Sequence, residues 1–142
     1  MDFHFHLHPS LVHFPIALFL SAFIFEIVSL YRRHKLLHEA AFYIFVLAVV
    51  MTPLAVISGL LEANEWHLTN HGVFLKHRNL AFLTLGVSLI SLLLFLTQGK
   101  LSRKNGKPIF LFILLLLSTL VMLTAYFGGE LVYEYGIGIE QE

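Results

Sequence analysis

The chain has 142 residues, 58% hydrophobic and 13% charged, with a formal net charge of zero. That length fits one small domain, and the charged fraction is well below the roughly 25% of soluble domains, so the composition is that of a membrane protein. Balanced charge argues against nucleic acid as a partner, and the absence of cysteine excludes disulfides, iron–sulfur clusters, thiolate sites and covalent c-type haem attachment.

The N-terminus opens Met1-Asp2-Phe3-His4, without the basic stretch of a cleavable signal peptide. Insertion is therefore expected to rest on the first apolar run. Four such runs follow, at 11–30, 40–61, 80–97 and 109–127, with an outer tail at 128–142. Each run is long enough to cross a hydrocarbon core of about 30 Å once. A membrane barrel would need alternating strands, and that pattern is absent. The expected fold is all-α: a single membrane domain forming a four-span transmembrane helix bundle.

In the first span, Pro15 removes a helical donor from the carbonyl near Leu11, so a kink or another partner is expected there. Glu26 is the one acidic residue inside a span. It is expected to reach the interface or pair with Arg32 or Arg33, with a buried proton-carrying role as the other reading. His34 and His38 follow among Arg32, Arg33 and Lys35 and read as interfacial charge. Pro53 and Ser58-Gly59 interrupt the second span, and Gly86, Ser88 and Ser91 give the third a small-residue stripe suited to close helix contact. Gly99, Asn105, Gly106 and Pro108 break the chain before the fourth. No internal repeat stands out.

Charge fixes an expected orientation. Connectors one and three share a face and hold Arg32, Arg33, Lys35, Lys100, Arg103, Lys104 and Lys107, whereas the other face holds only Lys76 and Arg78. The positive-inside rule puts both termini and the long second connector outside the cytoplasm.

Histidines gather on that outer face. His13 lies about one turn inside the first span, where ionisable groups are costly and usually face the bundle interior. His77 opens the third span at the same depth. Spans one and three are diagonal in an up-down-up-down bundle, so their imidazoles can face each other, which is what a bis-histidine b-type haem requires. A histidine bonded to a backbone carbonyl is the plainer alternative for His13. His8 and His13 are five residues apart, roughly 140° around a helix, and would have separate roles. His67 and His71 could form a same-face pair if their connector is helical. His4, His6 and His8 alternate, as in tails that bind Zn or Cu weakly or are merely solvated. In the tail, glycines flank Tyr133 and Tyr135. A tight structure over the outer helix ends is expected, with the tyrosines bonding a propionate or histidine; an aromatic-belt anchor is the alternative. No hydrolase or phosphate-loop motif is present.

His8-Pro9-x-x-Val12-His13-Phe14-Pro15-Ile16-Ala17-Leu18, His77-Arg78-x-Leu80-Ala81 and Gly128-Gly129-x-Leu131-Val132-Tyr133-Glu134-x-Gly136-x-Gly138 together resemble the four-helix membrane family called domain of unknown function 2231. The likeness spans essentially the whole chain. It implies a small bacterial inner-membrane protein whose relatives occur joined to c-type cytochrome modules, a context that favours electron transfer. By motif, the family's histidines map onto His8, His13 and His77. The family's closing motif commonly has a histidine where this chain has Tyr135, so a ligand there would be missing; His67 or His71 are the candidates to replace it.

The reading from sequence is a membrane electron-transfer protein, or haem-bearing subunit of a redox complex, with haem b ligated by His13 and His77. His8, Tyr133 and Tyr135 would support the site, and His67 and His71 are lesser metal candidates. Partners would be the lipid bilayer and a periplasmic c-type cytochrome or larger complex, and an oligomer is compatible with this. The competing readings are a cofactor-free accessory subunit and a divalent-metal-binding membrane protein.

Overall fold

A computed structural model describes residues 7–65, 72–98 and 106–137. The described residues form four helices: α1 (Leu7–Arg32), α2 (Lys35–Glu65), α3 (Gly72–Gln98) and α4 (Gly106–Tyr133). All four are long and apolar enough to cross a membrane, as expected from the four apolar runs. Each extends beyond its run, because the flanking turns keep helical hydrogen bonding where polar residues meet the interface. α1 and α2 continue through Pro15 and Pro53.

α1 packs on α2 and α4, and α3 packs on α4 and α2, leaving α1 and α3 diagonal. The start of α1 meets the end of α2, and the start of α3 meets the end of α4. The helices are thus two antiparallel hairpins. One end of the bundle carries the starts of α1 and α3; the other carries the α1–α2 corner.

That corner is sharp. Arg33 takes a left-handed conformation (φ 52°) and His34 N–H bonds the Ser29 carbonyl at 3.0 Å. This six-to-one bond with a left-handed residue before it is a Schellman cap, formed here without glycine. α4 ends on a left-handed glycine with a different bonding pattern: Gly136 has φ 65°, its N–H bonds Val132 O four residues back, as in an αL cap, and Ile137 N–H bonds Leu131 O six residues back, both at 3.1 Å. The cap's apolar contact is present too, since Ile137 packs on a small cluster of Ala63, Phe74 and Leu131. Of the described part of the tail, residues 128–133 continue α4 and residues 134–137 form the turn that caps it.

The two hairpins repeat one another at a spacing of 69 residues. His8, Ala55 and Gly59 of the first correspond to His77, Thr124 and Gly128 of the second. Buried Phe19, Ala22, Ala41, Phe45 and Ala48 correspond to buried Ser88, Ser91, Phe110, Leu114 and Leu117. The repeat conserves which positions face inward and hardly any side chains.

Polarity is distributed as lipid demands. Large apolar side chains such as Ile24, Leu54, Ile90 and Phe112 are exposed, whereas Thr52, Thr84, Ser88, Ser91 and Ser118 are buried. Most hydroxyls bond a carbonyl one turn back in their own helix, as Thr52 does to Ala48 O and Thr84 to Leu80 O, both at 2.8 Å. Ser118 instead crosses to Phe19 O at 3.3 Å, tying α4 to α1. Ser88 and Ser91 serve the small-residue packing expected of α3; Gly86 does not, because a Cβ there would meet nothing within 4 Å.

The half of the bundle near the corner is filled by aromatics from all four helices. Phe19, Phe45, Phe95 and Phe110 are buried, and Phe110 meets Phe95 and Phe45 edge-on at 5.3 and 5.6 Å between ring centres. Such pairs add to packing beyond their area. Phe110→Ala is expected to cost about 3 kcal/mol, the lower end for a buried phenylalanine because lipid removes part of the transfer contribution. Reversible unfolding in detergent would measure it, and an unchanged midpoint would contradict the assignment of this cluster as the core.

Candidate functional site

Towards the terminal end the bundle opens into a cavity of about 450 Å³ between α1 and α3. Its size suits a small organic ligand or cofactor. Its walls are mainly apolar, with His8, His13, Glu62, His77, Arg78 and Tyr133 among the polar lining residues.

His8 and His77 are brought together. Their ring centres lie 6.1 Å apart with planes near perpendicular (89°). Each ring is held by the neighbouring helix of its own hairpin. His8 Nδ1 lies 3.0 Å from Ala55 O and 3.1 Å from Ser58 Oγ, whose own proton goes to Ala55 O at 2.9 Å. His77 Nδ1 lies 2.8 Å from Thr124 O. Carbonyl oxygens only accept, so each Nδ1 must carry the proton and donate it. The lone pair of each imidazole is then on Nε2, and no described residue bonds either Nε2.

Glycine makes these approaches feasible. A Cβ on Gly59 would lie 2.7 Å from His8 Cε1, and one on Gly128 would lie 3.1 Å from His77 Cε1. Both glycines stand four residues after the accepting carbonyl. The imidazole therefore lies over the bare backbone of the turn whose carbonyl it bonds. Both histidine-to-carbonyl bonds span 47 residues, so the hairpins build the same device twice.

Charge adds a further tie. His8 N–H is one of the orphan donors at the start of α1, and Glu62 Oε1 accepts it at 2.8 Å from α2. A carboxylate at a helix N-terminus is favourable, and here it also fixes how far α1 slides along α2. Arg78 lies over the Phe74 ring at 5.9 Å, and Lys76 over Phe127 at 5.5 Å.

The other candidates are placed differently. His13 lines the same cavity but is exposed, and its Nδ1 bonds the Pro9 carbonyl one turn back. That bond is the plainer alternative considered from sequence. Tyr133 lines the cavity mouth and is 87% exposed, whereas Tyr135 is 49% exposed and lies outside the lining. His4, His6, His67 and His71 lie outside the described residues. Among the described residues no group of three or more His, Cys, Asp or Glu is gathered as a metal site. The steering of His8 and His77 by Gly59 and Gly128 was missed from sequence; the equal spacing of the two His–Gly pairs was the available signal.

A second polar pair lies at the far end. Glu26 and His38 are both buried, with His38 Nδ1 2.7 Å from Glu26 Oε2. This corrects two expectations: Glu26 pairs with neither Arg32 nor Arg33, and His38 is not interfacial charge. The sharp corner causes both, because it folds the start of α2 back along α1 and turns His38 into the bundle.

No curated protein and no solved structure matches the chain. The family of predicted membrane proteins DUF2231 matches residues 4–141, which cover all four helices and both histidine–glycine contacts; the chain belongs to that family.

Proposed function

We propose that the chain is a b-type cytochrome-like electron-transfer protein, or the haem-bearing subunit of a larger redox complex. The observation that supports this best is the matched pair of imidazoles, each with Nδ1–H on a backbone carbonyl and its Nε2 lone pair bonded by no described residue. Histidines that bind metal have this arrangement, in which the bond from the other ring nitrogen sets tautomer and orientation. The 6.1 Å between ring centres also brings the two imidazoles close enough to serve one shared metal.

The residues present fit a haem b. His8 and His77 would hold its iron through their Nε2 atoms. Val12, Ile16, Ala81 and Val121 offer apolar wall, and Arg78 offers a cation for the propionates. When bound, the haem would supply a one-electron couple. The chain's own contribution is to hold both imidazoles in one tautomer, to keep water from most of the cavity, and to present the site at one end of the bundle. His77 keeps the role expected from sequence. His8 takes the partner role in preference to His13, because His8 reaches across to His77 while His13 is bonded within its own turn.

The orientation belongs to the same reading. Seven of the nine basic residues lie in the corner connector, the third connector and the start of α4, which puts those in the cytoplasm and the cavity end in the periplasm. A periplasmic c-type cytochrome, or a neighbouring subunit of a redox complex, would then meet the cavity end, with the bilayer around the apolar sides.

The protein purified from haem-supplied cells is expected to have a six-coordinate, low-spin haem spectrum. His8→Ala and His77→Ala should each abolish six-coordination, and His13→Ala should retain it. Wild-type protein that takes up no haem would overturn the reading in favour of a cofactor-free accessory subunit.

The glycine contacts give a finer test. Gly59→Ala is expected to displace the His8 ring and weaken haem binding by about tenfold or more, equivalent to about 1.4 kcal/mol. Gly86→Ala, where nothing lies within 4 Å of the added carbon, should bind as wild type does. Equal affinity in the two variants would remove Gly59 from the site.

For orientation, a phosphatase reporter active only in the periplasm should be active when fused at the C-terminus and silent when fused in the connector at 99–105. The opposite result would invert every compartment in the proposal.

A further inference from the structure

We infer that Glu26 and His38 form a proton-binding site in the half of the bundle opposite the histidine cavity. The inference does not rest on any cofactor in that cavity. Along α1, Glu26 lies 18 residues beyond His8, about 27 Å at the rise of an α-helix.

Both side chains are buried, Glu26 at 0% and His38 at 5% exposure, and they meet at 2.7 Å through Oε2 and Nδ1. A contact this short between two potential acceptors requires a proton between them. The other two polar atoms, Glu26 Oε1 and His38 Nε2, are buried without a hydrogen-bond partner among the described residues. A pair that served packing alone would leave neither orphaned, since each buried unmet group costs stability. The arrangement instead keeps one acceptor and one ring nitrogen for a proton that comes and goes. With one proton the pair has no net charge, as carboxylate with imidazolium or carboxylic acid with imidazole. A second proton gives carboxylic acid with imidazolium, at a charge of plus one.

The repeat supplies independent support. The positions 69 residues after Glu26 and His38 are Phe95 and Lys107. Phe95 is buried in the aromatic cluster, and Lys107 is not among the buried residues. The second hairpin therefore fills the equivalent place with a hydrocarbon ring. The fold does not need a charged pair there, and the first hairpin has one.

Ser29 lies one turn from Glu26 on the same helix face, is itself buried, and donates its hydroxyl to the carbonyl of exposed His34 at 3.1 Å. Among the described residues, the other charged groups at this end are Arg32 and Arg33 at the end of α1, Lys35 and Glu39 on α2, and Lys107 on α4. Lys35 and Glu39 pair with each other at 3.4 Å, and none of these groups bonds Glu26 or His38. From α4 the Phe110 ring lies edge-on to His38 at 5.8 Å.

Infrared difference spectra of the full chain in lipid nanodiscs, titrated between about pH 4 and pH 10, would test this. A carboxyl band that changes with pH, disappears in Glu26→Gln and is altered in His38→Gln is expected. A Glu26 band that does not change with pH, or one indifferent to His38→Gln, overturns the inference. Glu26→Leu with His38→Phe removes both partners and leaves no orphan, so it should fold as wild type. That double variant should take up about one proton fewer per chain over the same range, and equal uptake overturns the inference as well.

Discussion

Everything at the cavity end depends on one contact made twice: an imidazole laid over a glycine of the neighbouring helix, with its Nδ1 proton on the carbonyl one turn earlier. The contact fixes the tautomer, because a carbonyl cannot donate. It fixes the ring plane, because the glycine leaves room in one direction only. It also fixes the register within each hairpin, since the bond forms only when the start of one helix lies level with the end of the next. Glu62 reinforces that register in the first hairpin by accepting the His8 N–H.

The rest of the bundle complements this arrangement. Phenylalanines from all four helices close the corner half, so the helices are held together there and can remain apart at the terminal end. Lipid provides little apolar drive for helices to associate, so packing and a few polar ties must supply the specificity. The edge-on phenylalanine cluster supplies the first. The Ser118 bond to α1 and the two histidine bonds supply the second.

The two-hairpin repeat gives the molecule an approximate two-fold axis running between α1 and α3, and the histidine cavity lies across it. Departures from the repeat are therefore informative. Glu62 and Leu131 are equivalent by position, and only Glu62 caps a helix start. Glu26 and Phe95 are equivalent by position, and only Glu26 brings an ionisable group into the core. One hairpin thus carries the polar additions to a shared frame.

The sequence alone determined the class of the fold. Lengths and apolar content of the four runs dictate spanning helices, because a backbone in hydrocarbon must satisfy its own hydrogen bonds. It also identified His8, His13 and His77 as residues at one end, since their positions along the spans set their depth. What it did not give was direction. Depth follows from residue number, but the side a histidine faces depends on how each helix is rotated about its axis, and strongly apolar helices carry little periodic signal for that. Tertiary packing turned His8 rather than His13 towards His77, through Gly59 and the Ala55 carbonyl. It turned Glu26 and His38 towards each other, through a left-handed Arg33 that no sequence rule favours. The hairpin repeat was hidden for a related reason: a bundle in lipid needs the same positions buried, and many side chains can fill them.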